Sequence, residues 1–218
     1  MLTRPLLLGH RGARGEKSVP ENTLASFDLA LARGCDGFEF DIRLSADRQP
    51  VICHDATSAR FKVARCSAQQ LALPHLREIL QRYQNSAFLD IELKVAGLES
   101  VVLDLLYLCP PTRGYVVTSF IPEVLSTFCE MSSSTPLGLI CETQAQFRLY
   151  PELPVDYVIL HYKLAREEII SQMKSESKKV FVWTVNSPNE IQKFKAWEVD
   201  GIISDYPERL VANAELNE

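Results

Sequence analysis

The stretch that decides the fold is residues 37–55, which read GFEFDIRLSADRQPVICHD. Glu39 and Asp41 alternate with large apolar residues, so a strand here places two carboxylates on one face and apolar side chains on the other. Two adjacent acids are costly to bury unless a divalent cation neutralises them or they share a proton. We expect a hard cation, and the alternative is an exposed hairpin with solvated surface acids.

The residues that follow this strand predict a hairpin. The turn at residues 45–50 is too short for a crossover to a parallel strand, so residues 51–53 should run back antiparallel beside the strand they leave. This path returns His54 to the neighbourhood of Asp41.

The chain before this stretch predicts a strand, a turn and a helix. An apolar run at residues 6–8 ends in Gly-His-Arg-Gly at residues 9–12, which is typical of a buried strand that leads into a flexible turn. The glycines allow backbone amides and the guanidinium of Arg11 to approach an anion closely, beside the imidazole of His10. Pro-Glu-Asn-Thr at residues 20–23 then opens a helix, because its polar side chains suit the N-cap position.

The chain after this stretch alternates strand and helix. Asp90, Glu92 and Lys94 share one face of a strand at residues 88–94, so a third carboxylate and a lysine join the inward set. Further strands are predicted at Tyr115–Ser119, Leu137–Cys141, Tyr157–His161, Val180–Val185 and Gly201–Ser204, with a helix after each strand and a last helix at Pro207–Ala214. Residues 56–73 are expected to be irregular.

Eight strand-helix units predict a TIM (β/α)8 barrel, an α/β fold, with the hairpin as a short excursion after the second strand. We expect one domain over residues 1–218. Functional groups of such barrels lie at the carboxyl ends of the strands. The residues predicted there are His10, Arg11, Glu39, Asp41, Glu92, Lys94, Ser119, His161, Trp183 and Asn186.

These side chains suit the chemistry of a phosphoryl group. Three carboxylates can hold one Ca²⁺ or Mg²⁺, while Arg11 and Lys94 can neutralise a phosphoryl oxygen. Two flanking histidines can serve as general acid and general base near neutral pH. His161, at the tip of a strand, is a further candidate for substrate contact.

Composition excludes other classes of function. The net charge of −5 and pI near 5.5, without a basic run, argue against a nucleic-acid partner. No stretch reaches 18 apolar residues and no signal peptide is recognisable, so we expect a cytoplasmic protein without membrane insertion. The six cysteines form no CxxC pair, which predicts reduced packing thiols and no zinc site.

The sequence resembles the glycerophosphodiester phosphodiesterase family of PLC-like phosphodiesterase barrels. The matching segments, in family order, are GHRG (9–12), PENT (20–23), EFD (39–41), HD (54–55), IELK (91–94), TSF (118–120), VWTVN (182–186) and GIISDYP (201–207). The resemblance implies metal-dependent hydrolysis of a small glycerophosphodiester to glycerol 3-phosphate and an alcohol. It implies these roles: Glu39, Asp41 and Glu92 as metal ligands, His10 and His54 as the acid–base pair, Arg11 and Lys94 as phosphate contacts, Glu21 and Asn22 as supports, and Trp183 as a wall for the glycerol.

One departure concerns the segment after the HD pair, where the family usually carries a substantial insertion. Here residues 56–73 form only a short connector, so the sequence does not determine which alcohol is the leaving group. The alternatives are a lysophospholipase D type enzyme acting on lipid-like diesters, an inactive barrel that binds a phosphorylated metabolite, and a metal-dependent barrel that enolises a carbonyl compound. The choice between Ca²⁺ and Mg²⁺, the assignment of acid and base, and the oligomeric state also stay open.

Overall fold

The computed structural model describes residues 4–212. Its barrel strands are short and mostly apolar. In chain order the strands are β1 (Leu6–His10), β2 (Gly37–Leu44), β3 (Pro50–Ile52), β4 (Thr57–Ser58), β5 (Phe61–Lys62), β6 (Phe88–Leu93), β7 (Tyr115–Ser119), β8 (Leu137–Cys141), β9 (Tyr157–His161), β10 (Lys179–Trp183) and β11 (Gly201–Ser204). The α-helices are α1 (Leu24–Ala32), α2 (Ala68–Leu71), α3 (Leu76–Tyr83), α4 (Glu99–Leu108), α5 (Pro122–Met131), α6 (Gln144–Phe147), α7 (Glu167–Ser175), α8 (Pro188–Ala196) and α9 (Pro207–Ala212).

Eight parallel strands close into the predicted TIM barrel. Their order around the barrel is β1, β2, β6, β7, β8, β9, β10 and β11, and β11 pairs back onto β1. Since every barrel strand runs in the same direction, all eight carboxyl ends meet at one rim.

One apolar cluster packs between the barrel strands and the helices, and a second lies inside the barrel. The outward face of β2 packs in an aromatic cluster in which Phe27 of α1 stacks on Phe38 at 4.3 Å and Tyr83 of α3 meets Phe38 edge-on. Burial of each phenylalanine contributes roughly 1.5–3 kcal/mol. Packing of this face commits the opposite face of β2, which carries Glu39 and Asp41, to the barrel interior.

The hairpin after β2 is confirmed. β3 pairs antiparallel with the end of β2, in the register Ile42 with Ile52 and Arg43 with Val51. The N–H of Cys53 donates to the carbonyl of Asp41 at 2.9 Å, so the chain re-enters the rim beside that residue.

The segment at residues 56–73 is more ordered than predicted. It contains the two-stranded hairpin β4–β5, a single 3₁₀ turn and the helix α2, which begins with a capping box between Ser67 and Gln70. Val63 and Leu71 are buried against Val51 of β3. Elements of two to four residues are too short to produce a readable period, so the prediction of an irregular connector was wrong.

Most strand boundaries agree with the prediction to within one residue, and the largest difference is at the end of β10. The strand pattern predicts Val180–Val185, whereas β10 ends at Trp183; the Val185 N–H still bonds to the carbonyl of Ile203. The last helix is α9, and residues 213–214 of its predicted range lie outside the described residues. No helix between residues 4 and 212 has the length and apolar character needed to cross a bilayer.

Candidate active site

A cavity of about 270 Å³ opens at the carboxyl ends of the barrel strands. Its walls are His10, Arg11, Glu39, His54, Asp90, Glu92, Lys94, Phe120, Ile140, Glu142, Ile159, Trp183 and Ile203. Seven residues that the sequence predicts for the site therefore line one cavity: His10, Arg11, Glu39, His54, Glu92, Lys94 and Trp183.

Glu39, Asp41 and Glu92 form one buried cluster beneath this cavity. Asp41 and Glu92 are register partners across β2 and β6, and Glu39 lies one alternation earlier on the same face. One carboxylate oxygen from each residue lies within 4.8 Å of the others. Glu39 Oε1, Asp41 Oδ1 and Glu92 Oε1 are buried, and Glu39 Oε1 has no donor among the described residues. Three convergent carboxylate oxygens fit a hard divalent cation.

Two basic side chains border the cluster. The Lys94 ammonium lies 2.6 Å from Glu92 Oε1 and 3.4 Å from Asp41 Oδ1. The Arg11 Nε lies 3.2 Å from Asp41 Oδ2, and the backbone N–H of Arg11 donates to Glu39 Oε2 at 2.9 Å. Arg11 adopts a positive φ of 50°, followed by Gly12 at 81°, and this left-handed turn aims the Arg11 N–H at the carboxylate.

The three carboxyl groups of this cluster differ in how readily they ionise. Burial raises the pKa of Glu39 well above its usual value, and the charges of Asp41 and Glu92 add to this effect. Burial and the charge of Asp41 raise the pKa of Glu92 to about 8. Burial also disfavours ionisation of Asp41, but Lys94 and Arg11 outweigh it and lower the pKa of that carboxyl. Two of the three carboxyls therefore ionise readily only near additional positive charge.

The two predicted acid–base histidines differ in their surroundings. The Nδ1 of His10 lies 2.7 Å from Asp205 Oδ1 in a buried pair, whereas the Nδ1 of His54 lies 2.8 Å from Asp55, whose side chain is 76% exposed. Burial lowers the pKa of His10, although Asp205 opposes the shift. The carbonyl of His54 accepts a hydrogen bond from Arg43 Nε at 2.8 Å, which fixes the backbone at this point.

Glu21 and Asn22 form hydrogen bonds with charged side chains around the cavity. Asn22 Nδ2 donates to Asp41 Oδ2 at 2.8 Å, while Glu21 accepts from Arg11 and Arg14 at 2.7 and 2.8 Å. Both residues thus support charged groups of the site. The helix cap itself is Thr23, whose hydroxyl accepts from the Ser26 N–H.

An aromatic wall completes the cavity. The Trp183 ring lies 5.6 Å from Phe120 and 5.4 Å from His161, both edge-on. His161 is half-buried, packs against Trp183 and is not among the residues that line the cavity, so its contact with a substrate stays a prediction. Trp183 Nε1 is buried and finds no acceptor among the described residues.

Four residues of the site carry no role in the sequence interpretation: Asp205, Asp90, Phe120 and Glu142. Phe120 and Glu142 directly follow β7 and β8, and Asp205 directly follows β11. The position just after a barrel strand is a readable signal, because such residues reach the rim. Asp90 falls on the inward face of β6, one alternation below Glu92.

Comparisons with known proteins agree with this geometry. The sequence profile of the glycerophosphoryl diester phosphodiesterase family matches residues 10–104 and 102–209. A glycerophosphodiester phosphodiesterase of Caldanaerobacter subterraneus subsp. tengcongensis is 26% identical, over 95% of this chain and 97% of the relative. One from Bacillus altitudinis is 27% identical, over 94% of this chain and 96% of the relative.

Solved structures show the same fold. A phosphodiesterase of Oleispira antarctica, in complex with the product sn-glycerol-3-phosphate, superposes with a TM-score of 0.86 at 24% identity, covering 97% of each chain. The family profile spans nearly all of the described residues and includes the rim residues of β1, β2 and β6. The chain therefore belongs to the glycerophosphoryl diester phosphodiesterase family of enzymes.

Proposed function

We propose that this enzyme hydrolyses glycerophosphodiesters to glycerol 3-phosphate and an alcohol. The observation that carries the proposal is the convergence, at one cavity, of a buried cluster of three carboxylates, two basic side chains and two histidines. The names of the matched relatives and the product bound to the Oleispira antarctica neighbour support the substrate class.

Glu39, Asp41 and Glu92 are the residues proposed to hold one divalent cation, Mg²⁺ or Ca²⁺. Such a cation, when bound, polarises a phosphoryl oxygen and stabilises the charge that develops on it. Arg11 and Lys94 are proposed to bind the phosphoryl group as well, since both carry permanent positive charge at the cavity wall.

The proton transfers are assigned to His10 and His54. One imidazole accepts the proton of the attacking group as the new P–O bond forms, and the other donates a proton to the departing alkoxide as the old P–O bond breaks. The attacking group is water, or it is a glycerol hydroxyl that forms a cyclic phosphate, which water then opens to glycerol 3-phosphate. Trp183 is proposed to pack against the glycerol carbons, and the wall position of its ring suits that role.

The proposal is tested by coupled detection of glycerol 3-phosphate released from glycerophosphocholine, with and without a chelator. We expect chelation to abolish turnover, and His10→Ala and His54→Ala each to lower kcat by about 10²-fold or more, because acid–base catalysis contributes that much. The matched control is His75→Ala, at the start of α3 and outside the cavity, which should keep near-normal kcat.

The substrate panel decides between this proposal and its nearest alternative. It includes lysophosphatidylcholine as well as small glycerophosphodiesters. Turnover of the lysophospholipid alone, or no release of glycerol 3-phosphate from any small diester, would contradict the proposed substrate class.

A further inference from the structure

The seam at which the barrel closes contains a buried hydrogen-bond network that the proposed proton transfers do not yet explain. β1 and β11 are register partners through Gly9 and Ser204, and the residues that follow these positions are His10 and Asp205. The His10 Nδ1 and the Asp205 Oδ1 are 2.7 Å apart, and both side chains are at most 11% exposed. Strand pairing therefore fixes the approach of this imidazole to this carboxylate.

The Asp205 carboxylate is held from three sides. Asn186 Nδ2 donates to Oδ2 at 2.7 Å, and Arg14 Nη1 lies 3.2 and 3.3 Å from the two oxygens. Asn186 is itself oriented, because its Oδ1 accepts from the Asp205 N–H and from the Ser204 hydroxyl, both at 3.0 Å. A carboxyl group that accepts from an amide, a guanidinium and an imidazole is in its ionised form.

This ionisation determines which ring nitrogen of His10 carries the proton. An ionised carboxylate only accepts hydrogen bonds, so the hydrogen between the two groups belongs to Nδ1 of the imidazole. In the neutral ring Nε2 then has a free lone pair. Nε2 faces the cavity, 3.8 Å from Glu39 Oε2.

We infer that Asp205 is a positioning residue for the reaction: it holds His10 in the Nδ1–H tautomer and so makes His10 the proton acceptor. The inference rests on the proposed function. The proton of the attacking hydroxyl moves to Nε2, the Nδ1 proton stays in place, and the Asp205 carboxylate stabilises the resulting imidazolium without becoming protonated. His54 then supplies the proton that the leaving alkoxide takes.

The pair at His54 does not have the same power to orient its ring. Asp55 is its nearest carboxylate, but that side chain is 76% exposed, so water competes for the hydrogen bond. A half-exposed imidazole exchanges protons with solvent easily, which suits the donor of a proton that must be replaced after each cycle.

A purely structural role for Asp205 is the rival explanation, because the same contacts join the first barrel strand to the last. The two explanations differ in one respect. A positioning residue acts only through His10, whereas a residue that merely ties the seam affects the enzyme whether or not His10 is present.

The test is a double-mutant cycle with glycerophosphocholine as substrate. We expect Asp205→Asn to lower kcat by about 10²-fold or more with KM changed less than about threefold. In a His10→Ala background the same substitution should change the residual kcat by less than about twofold. An Asp205→Asn enzyme with near-normal kcat, or losses that multiply in the double mutant, would overturn the inference.

A second variant covers the case in which Asp205→Asn folds poorly, as judged by its melting temperature. Asn186→Ala leaves the carboxylate in place but removes one of its donors. It should lower kcat by a smaller factor, about tenfold, and again without further effect in the His10→Ala background. A multiplying loss here would also overturn the inference.

A spectroscopic measurement separates this inference from the proposed function. Long-range ¹H–¹⁵N spectra of protein with ¹⁵N-labelled histidine, recorded near pH 8, report which ring nitrogen is protonated. The chain has four histidines, and the signal absent from His10→Ala identifies the one in question. We expect the Nδ1–H tautomer in the wild type and its loss in Asp205→Asn. An Nε2–H tautomer in the wild type would overturn the inference even in a protein that turns over no glycerophosphodiester.

Discussion

Asp90 is an acid in the barrel interior that the proposed chemistry does not use. Its side chain is 2% exposed, and its Oδ1 accepts a hydrogen bond from the Thr118 hydroxyl at 2.7 Å. Burial raises the pKa of Asp90 to about 7, although the bond from Thr118 opposes the shift. Ionisation of this carboxyl therefore weakens the folded state.

The sign of the resulting pH dependence follows from the two pKa values. The pKa of Asp90 in the folded state, about 7, exceeds the unfolded value near 3.9. The stability that the neutral Asp90 carboxyl contributes is therefore fully present below about pH 4 and is lost as pH rises towards 7. Asp90→Asn cannot ionise and keeps an acceptor for Thr118. We predict that it removes the pH-dependent loss in the free energy of unfolding, which is of order 4 kcal/mol between about pH 4 and 7. Urea unfolding in the presence of a chelator, at several pH values, measures the difference. The exposed Asp104→Asn, on α4, serves as control, and parallel curves for wild type and Asp90→Asn would contradict the prediction.

Individual site residues were predictable from sequence to different degrees. Glu39, Asp41 and Glu92 could be placed together because alternation along a strand fixes the face of each side chain, and strand ends fix the rim. Asp205 could not be paired with His10, because nothing local to either residue specifies a contact between positions 195 residues apart. Closure of the barrel creates that contact.

At the scale of elements, the segment with β4, β5 and α2 is the part whose order the sequence did not predict. Val63 and Leu71 anchor it on β3 through a small apolar cluster of its own. Residues 56–73 contain three basic residues and no acid, and its hairpin exposes Phe61. The segment begins two residues after His54, which lines the cavity, yet none of its own residues lines the cavity wall.

This position predicts a permissive leaving-group side. A segment that contributes no lining residue offers few contacts that discriminate between alcohols, so positioning would depend on the proposed phosphate contacts Arg11 and Lys94 and on the proposed cation. We predict that choline, ethanolamine, glycerol and serine diesters differ in kcat/KM by less than about tenfold, or ~1.4 kcal/mol. The measurement is the coupled assay over these four substrates, and a preference of a hundredfold or more for one alcohol would exclude a permissive site.

The existence and order of the barrel elements were readable from sequence, and short elements were not. Strands such as β8 and β9 are continuous apolar runs bounded by turn residues, which is a strong signal. The two-residue strands β4 and β5 depend instead on the packing of Val63 against β3, a tertiary contact that no local pattern contains.

At the scale of the whole molecule, barrel closure leaves no room between β2 and β6 at Gly37. A Cβ added there would lie 1.9 Å from the carbonyl oxygen of Phe88, its register partner on the neighbouring strand. Because the obstacle is backbone in a closed sheet, relief requires the barrel itself to deform. We predict that Gly37→Ala lowers the free energy of unfolding by about 3 kcal/mol or more.

Denaturant unfolding of Gly37→Ala beside Gly97→Ala tests this prediction. A Cβ at Gly97 would meet only Leu44, at 3.7 Å, but the residue has a φ of 88°, so the control carries a strain cost of about 1–3 kcal/mol without a clash. If Gly37→Ala lowers the free energy of unfolding by less than about 1 kcal/mol relative to wild type, then β2 and β6 can separate there at little cost, and the prediction is wrong.

The pairing of β1 with β11 also affects how the enzyme folds during translation. The Asp205 carboxylate that pairs with His10 is translated 195 residues after it, roughly 10–40 s later at bacterial and eukaryotic elongation rates. During that interval the first strand has no neighbour on one side, and its edge is available to chaperones. A nascent or prematurely terminated chain that lacks β11 therefore carries the His10 imidazole without its partner, and the His10–Asp205 pair forms only after β11 is synthesised.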